Sequence, residues 1–190
     1  MSDTLTFTPE GILPPGDYSM TLDQLRASIL VLGPGDPKHH PDWDAAWRLQ
    51  LVDNLETLVK QLWAVGIDEI YVDGSFAEDK DHPNDIDGYF VCDEQRVRTR
   101  SLHRDLNKID PAKCWTWNHA ARRPYRGYTK RQLPMWHEYR VELYPHWPGW
   151  LPDGTRLGMS WSFRHGSAVS ETTVNPRASS KLSARPAAQR

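Results

Sequence analysis

Two aspartates one residue apart, Asp85 and Asp87, lie inside a run of strand-forming residues that covers 85–92. Residues i and i+2 of a strand point to the same face, so the two carboxylates should project together while Ile86 points into the core. Carboxylates held this close repel each other unless a cation neutralises them, and magnesium takes oxygen ligands of this kind. The pattern therefore predicts a magnesium platform, and the alternative is a strand edge with both acids solvated.

A Gly-Ser pair lies upstream of the two aspartates. Gly74 and Ser75 directly follow a β-branched and aromatic run, 67–72, that predicts a strand. A Gly-Ser turn that feeds a helical segment offers backbone N–H groups and a hydroxyl to a phosphate, and Ser75 could equally act as a helix cap. The remaining acids of this stretch are expected to be turn and solvent residues: Asp73, Glu78, Asp79 and Asp81.

A third acid, Glu142, lies between Val141 and Leu143 in an alternating run over 137–144 that predicts a strand. Such alternation lets Glu142 face opposite to its two apolar neighbours, either toward the aspartates or toward solvent. Glu138 lies at an even offset on the same predicted strand, so it is the alternative third acid.

In this order, the strand, Gly74-Ser75, Asp85-Ile86-Asp87 and the later acid resemble the nucleotidyltransferase superfamily of the DNA polymerase beta type, across residues 8–147. The chain is similar to small stand-alone bacterial members. The resemblance implies an α+β fold, the minimal nucleotidyltransferase fold, in which a mixed β-sheet has helices packed mainly on one face. It also implies an in-line attack on the α-phosphate of a nucleoside triphosphate such as ATP, with pyrophosphate as the leaving group.

The resemblance also implies roles for the site residues. Asp85 and Asp87 would hold two Mg²⁺ ions, for which Mn²⁺ is an alternative, at a spacing of about 3.5–4 Å. Glu142 would complete the site of the ion that activates the nucleophile. Ser75 and the backbone of Gly74 would hold the terminal phosphates.

A basic and aromatic stretch follows, with no acid among its residues. Its six bases are Lys113, Arg122, Arg123, Arg126, Lys130 and Arg131, and its rings include Trp115, Trp117, Tyr125 and Tyr128. Cations beside flat rings suit single-stranded nucleic acid, or a triphosphate and its base, and solvated loop charge is the alternative. Arg122, Arg123 and Arg126 are the candidate nucleotide-binding residues of this stretch. Lys80 is a further candidate triphosphate contact, or it balances the local acids.

Several elements must position these residues. The strongest helix is predicted from Pro41 to Gly66, where leucines recur every three or four residues. Shorter helices are predicted over 22–30, after a capping box at Thr21, and over 93–109. Residues 1–20 should form an extended lead-in, 21–165 the nucleotidyltransferase-like domain, and 172–190 a disordered tail.

Composition restricts the class of protein. The chain has 190 residues, a net charge of -2 and two cysteines, Cys92 and Cys114, which suits one cytoplasmic domain with both thiols in its core. No apolar run is long enough for a membrane span or a signal peptide, so no membrane partner is expected.

Three functions follow from these patterns. The first is a magnesium-dependent nucleotidyltransferase that acts on a nucleoside triphosphate and a hydroxyl of RNA, protein or a small molecule. The second is a catalytically silent nucleotide- or nucleic-acid-binding regulator, such as an antitoxin or defence-system component with a cognate partner protein. The third is a metal-dependent nuclease, in which the Gly-Ser turn has no evident task.

Overall fold

The computed structural model describes residues 5–14, 16–36, 38–147 and 160–163, with the backbone alone for Asp17 and for 160–163. Its strands are β1 (Asp17–Ser19), β2 (Ile70–Asp73), β3 (Ile86–Val91), β4 (Val141–His146) and β5 (Ser160–Phe163). Its helices are α1 (Leu22–Arg26), α2 (Ile29–Leu32), α3 (Ala45–Ala64), α4 (Glu94–Arg98), α5 (Ser101–Ile109) and α6 (Pro134–Tyr139). The predicted tail over 172–190 lies outside the described residues.

The five strands form one mixed sheet in the order β1-β5-β2-β3-β4. β2 pairs antiparallel with both β3 and β5, whereas β3 pairs parallel with β4 and β1 with β5. The fold is therefore α+β with a mixed sheet, as the resemblance implies. β1 and β5 had no predicted counterpart, because their partners lie far apart in the chain.

Helix α3 is the main support of the sheet. Its apolar stripe is fully buried and consists of Leu51, Val52, Leu55, Leu58, Val59 and Leu62. Burial of each such side chain is worth about 1.5–3 kcal/mol, so the stripe contributes on the order of 10 kcal/mol before conformational entropy is counted. The predicted helix is confirmed, with Asp44 as its N-cap and Gly66 in the left-handed region just beyond its end.

Two predicted helices are each divided in the structure. The helix predicted over 22–30 is interrupted at Ala27 and Ser28, where the Ser28 hydroxyl accepts the N–H of Leu30 and begins α2. The helix predicted over 93–109 is interrupted at Arg100, whose φ of 59° lies in the left-handed region. Ser28 caps α2 through its own side chain, which favours a break over a continuous helix, whereas Arg100 makes no side-chain hydrogen bond to the start of α5.

The strand predicted over 137–144 is wrong in its first half. Pro134 begins α6 at the first helical position, and the helix continues to Tyr139 before Arg140, at φ 55°, ends it. The strand β4 begins only at Val141. Glu138 therefore lies exposed on a helix, and its prediction as the alternative acid on the strand is wrong.

The two faces of the sheet differ in chemistry. On one face, the strands contribute Ile70, Val72, Ile86, Phe90 and Leu143 to the same buried core as α3. Alternation of side chains along the strands places Tyr71, Tyr89 and Tyr144 on the opposite face, and none of the three is fully buried. The predicted core thiols, Cys92 and Cys114, are both buried and free.

Gly88 sets the distance between neighbouring strands. A Cβ at this position would lie 2.3 Å from the carbonyl oxygen of Tyr71 and 2.9 Å from Cδ2 of Leu143. The glycine is thus a packing requirement of β2, β3 and β4. None of the described helices is long and apolar enough to cross a membrane.

Candidate active site

Three carboxylates stand side by side on adjacent strands. Asp73 is the last residue of β2 and its Cα pairs with that of Asp87 in β3, which in turn pairs with Glu142 in β4. Residues paired laterally across a sheet point to the same face, so these side chains form one row, here called the acid row. Asp85 precedes β3 by one residue, and its charge also acts on Asp87.

Asp73 is a site residue that the sequence analysis missed, since it was expected in a solvated turn. The structure instead makes it the end of β2, half-buried and on the same face as Tyr71. The signal was present in the sequence, because extending the predicted strand by one residue places Asp73 in phase with Tyr71. What the sequence could not show is that this face carries acids on two further strands.

Within the acid row, the described residues compensate the charge of Asp87 only in part. Burial, followed by the charges of Asp85, Asp73 and Glu142, raises the pKa of Asp87 to about 7, against an opposing effect of Lys130. Burial also raises the pKa of Asp73. Among the described residues, none donates a hydrogen bond to the carboxylate of Asp87. A half-buried acid with a raised pKa and no hydrogen-bond donor among the described residues is characteristic of functional sites.

Glu142 differs from Asp87 because the protein already binds both of its oxygens. It is only 5% exposed, its Oε1 accepts the N–H of Leu133 at 2.8 Å, and its Oε2 accepts the hydroxyl of Tyr144. Arg122 lies with Nη1 3.7 Å from Oε1 and donates to the Tyr144 hydroxyl at 2.7 Å. Burial and then the Glu142 carboxylate raise the pKa of Tyr144, so this hydroxyl stays protonated.

Asp85 is held by an aromatic side chain. Its Oδ2 accepts the indole N–H of Trp136 at 2.6 Å, which fixes the carboxylate without adding charge. Trp136 is fully buried and packs edge-on against Tyr125 and Tyr128, with ring centroids 5.0 Å away in each case. The aspartate is thus oriented by α6 as well as by its position just before β3.

The Gly-Ser turn lies directly against the acid row. Gly74 adopts φ 75°, and a Cβ added to it would lie 3.3 Å from Oδ2 of Asp87. The helical segment expected after the turn is a single 3-10 turn, Gly74–Ala77, which is too short to contribute a helix dipole. The turn therefore offers only its backbone N–H groups and the Ser75 hydroxyl, which has no hydrogen-bond partner among the described residues.

Arg48 of α3 holds the segment that follows this turn. Its buried guanidinium donates to the carbonyl oxygens of Leu30, Phe76, Glu78 and Lys80. It also lies 4.0 Å from the ring centroid of Trp43. Burial lowers the pKa of Arg48 to about 10, so it remains charged at neutral pH. The sequence signal was an arginine in phase with the apolar stripe of α3, three residues before Leu51.

Of the predicted nucleotide-binding cations, one is bound within the site and three are exposed. Arg122 is bound to Glu142 and Tyr144, as described above. Arg123 and Arg126 are exposed, and so is Lys80, whose carbonyl rather than its amine makes the contact seen in the structure. The cation whose charge acts on Asp87 is Lys130, which the sequence analysis counted as a base of the stretch but not as a site residue.

The carboxylates of the site fit one mode of divalent-cation binding, in which the protein supplies two oxygen ligands and the substrate supplies others. In the described part of the chain, no three His, Cys, Asp or Glu side chains are grouped so as to enclose a metal ion. Magnesium commonly binds through one or two carboxylates, together with substrate phosphates and water. Asp85 and Asp87 can supply those two carboxylates, and the partly compensated charge around Asp87 favours a cation.

The chain belongs to DUF6932, a family of unknown function, whose sequence model matches residues 5–171. The match contains every residue of the site described above. No curated protein and no solved structure matches the chain significantly.

Proposed function

We propose that this member of DUF6932 is a magnesium-dependent nucleotidyltransferase, which transfers a nucleotide from a nucleoside triphosphate to a hydroxyl of an acceptor. One observation carries the proposal: the acid row lies against the Gly74–Ser75 turn, so carboxylates and a turn able to bind phosphate meet at one place. The chain passes through β2, the turn, β3 and β4 in that order, and β2 pairs antiparallel with β3 while β3 pairs parallel with β4. This arrangement supports the minimal nucleotidyltransferase fold.

Each residue of the site then has a distinct role. Asp85 and Asp87 hold magnesium, which when bound supplies charge neutralisation for the phosphates. Asp73 adds a further carboxylate beside Asp87, and Lys130 attracts the triphosphate. Ser75 and the backbone of Gly74 bind the terminal phosphates, while Arg48 keeps the following segment in place. Glu142 orients Arg122 and Tyr144 and closes the row on the β4 side.

The reaction balances as a single displacement at phosphorus. The acceptor oxygen forms a bond to the α-phosphorus, and the bond from that phosphorus to the oxygen bridging it to the β-phosphate breaks. Pyrophosphate leaves, and the proton of the acceptor hydroxyl passes to a carboxylate of the acid row. Such a site accelerates the reaction by positioning and by charge stabilisation.

Transfer of label tests the proposal directly. The protein is incubated with Mg²⁺, a cell extract and each nucleoside triphosphate labelled at the α-phosphate, and the labelled products are separated. Label should enter an acceptor with the wild type and should be lost with Asp87→Asn, an isosteric change that removes the charge. Asp68→Asn is the matched control, because Asp68 is exposed and lies away from the acid row. Equal labelling by Asp87→Asn and Asp68→Asn would exclude the proposed reaction.

A second candidate is a nucleotide-binding regulator without turnover, of the antitoxin or defence-system kind. The hydrogen bonds that Leu133 and Tyr144 make to Glu142 favour it, because they occupy both oxygens of the third acid. Calorimetry separates the two candidates when it is combined with the labelling assay. The silent regulator should bind the triphosphate, with neither label transfer nor release of pyrophosphate, whereas the enzyme should show all three.

A further inference from the structure

The second half of the basic stretch forms a hairpin over residues 123–132, here called the basic hairpin. Arg123 and Gln132 exchange backbone hydrogen bonds of 2.8 and 2.9 Å, which close its base. At its tip, the N–H of Tyr128 donates to the carbonyl of Tyr125 at 3.0 Å, and Gly127 adopts φ 88°. A positive φ at the third position of a four-residue turn requires a residue such as glycine, so Gly127 fixes the turn type at the tip. Four of the six cations of the stretch are therefore held on an ordered element.

Side chains anchor this hairpin to the acidic site. Tyr125 and Tyr128 pack against Trp136, the residue that donates to Asp85. Arg140 lies over the ring of Tyr125 at 4.2 Å, and the Tyr125 residue still keeps 39% of its surface exposed. At the base of the hairpin, Arg122 donates to the carbonyl of Arg131 at 2.9 Å. Tyr125 is therefore a partly exposed aromatic residue with one ring face covered by Arg140, and only Trp136 separates it from the carboxylate of Asp85.

The cations of the hairpin form no ion pairs within the described protein, although the charge of Lys130 acts on Asp87. Arg123, Arg126, Lys130 and Arg131 are all exposed, and none forms an ion pair with a described residue. Elsewhere on the surface, cations such as Arg26, Arg98 and Lys108 pair with neighbouring acids. Like charges concentrated on one small element repel each other, so an external polyanion would stabilise the hairpin.

We infer that the basic hairpin binds a single-stranded nucleic acid, with Arg123, Arg126 and Arg131 on its phosphates and Tyr125 stacked on a base. Spaced cations beside an exposed flat ring are the combination that single strands require. An acidic protein partner would match the same arginines, and its binding is the competing outcome that polyglutamate tests below. Lys130 is left to the triphosphate, because it is the hairpin cation that acts on Asp87.

The position of the hairpin gives the bound strand a role that rests on the proposed function. A strand held by the tip runs past Asp85 and can present a terminal hydroxyl to the acid row. The acceptor class of the transferase is then a nucleic-acid end, not a small molecule. RNA and DNA offer the same phosphates and bases to these side chains, so separate measurements on the two must distinguish them.

Binding is measured by fluorescence anisotropy on the full chain, with labelled RNA and DNA oligonucleotides of one sequence, in EDTA and without triphosphate. The wild type should bind single strands. For each tenfold increase in salt concentration, the logarithm of its association constant should fall by about 0.7 for each phosphate contact. The triple variant Arg123→Gln, Arg126→Gln, Arg131→Gln should bind at least tenfold more weakly, with a salt slope shallower by about 2. Tyr125→Ala should lose about fivefold or more with an unchanged slope.

A charge-matched control separates this surface from general electrostatic attraction. Lys38→Gln, Arg100→Gln, Arg104→Gln removes as many exposed, unpaired cations from elsewhere on the described surface. This control should bind single strands like the wild type. Equal losses in the two triple variants, equal affinity for a duplex, or competition by polyglutamate with no effect of Tyr125→Ala would each overturn the inference.

The same variants keep this inference distinguishable from the proposed function. The hairpin triple variant should still bind the magnesium triphosphate in calorimetry, whereas Asp87→Asn should still bind single strands. Strand binding by a protein that fails to bind triphosphate would support the hairpin site and contradict the transferase. Labelling of an acceptor by the hairpin triple variant at the wild-type rate would contradict the role of the hairpin.

Discussion

Asp73 and Asp87 face each other across β2 and β3, with their Cα atoms paired in the sheet and no described side chain donating a hydrogen bond to Asp87. Glu142 continues the pairing on β4. Like charges directly opposite each other on one face are destabilising. The sheet thus keeps an unfavourable arrangement at the place where a cation would relieve it.

The first prediction concerns pH. The pKa of Asp87 is about 7 in the folded protein and about 3.9 when unfolded, so the folded state binds the proton more tightly. The free energy of unfolding of the metal-free protein should therefore fall as pH rises from about 4 to about 7, and level off above. Asp87→Asn should remove this contribution and stabilise the protein at pH 8 by about 2–4 kcal/mol. Urea denaturation of both proteins from pH 5 to 8, in EDTA, measures the difference, and parallel profiles would contradict it.

The second prediction concerns magnesium. Ions that bind only the folded state stabilise it by RT ln(1 + [L]/Kd), which is about 1.4 kcal/mol at ten times Kd. Mg²⁺ together with a non-hydrolysable triphosphate should therefore raise the melting temperature of the wild type and of Asp68→Asn. Asp85→Asn and Asp87→Asn should show no such rise in a thermal shift series. A full shift in either aspartate variant would show that the ion binds elsewhere.

The third prediction concerns Arg48. Arg48→Leu should leave the carbonyl oxygens of Leu30, Phe76, Glu78 and Lys80 without their donor, at a cost of about 3 kcal/mol or more. Arg48→Lys should lose less, because it keeps the charge and part of the hydrogen bonding. Hydrogen exchange should accelerate at the amides of Glu78 and Asp79. Arg104→Leu, at an exposed site, is the control and should change stability by no more than about 0.5 kcal/mol.

The fourth prediction concerns Gly88. The methyl group of Gly88→Ala meets the backbone oxygen of Tyr71, which cannot rotate away, so β2 and β3 must separate. Destabilisation of at least about 2 kcal/mol should follow, together with loss of the magnesium effect, because the spacing of Asp73 and Asp87 depends on the same strand pair. Gly16→Ala is the matched control, since its Cβ would have no contact shorter than 3.7 Å. Equal melting temperatures for the two variants would contradict the packing argument.

Local patterns were sufficient for the elements that carry most of the site. The leucine spacing of α3, the β-branched run before Gly74 and the alternation around Ile86 are contained in short windows, and each element lies close to its predicted place. The α6 segment was misread because the alternation in polarity that marks β4 already begins at Glu138, while Pro134 favours a helix start. A short segment carries too little periodicity to decide between the two.

The side-chain chemistry available to this protein follows from its sequence: two aspartates one residue apart, a Gly-Ser turn before them and a basic stretch free of acids. The tertiary structure alone decided which of these groups meet. Strand register brought Asp73 beside Asp87, the hydrogen bonds from Leu133 and Tyr144 occupied Glu142, and burial turned Arg48 into a support for the turn. Side-chain type is a local property, whereas pairing and desolvation depend on residues far apart in the chain, so only the folded sheet specifies them.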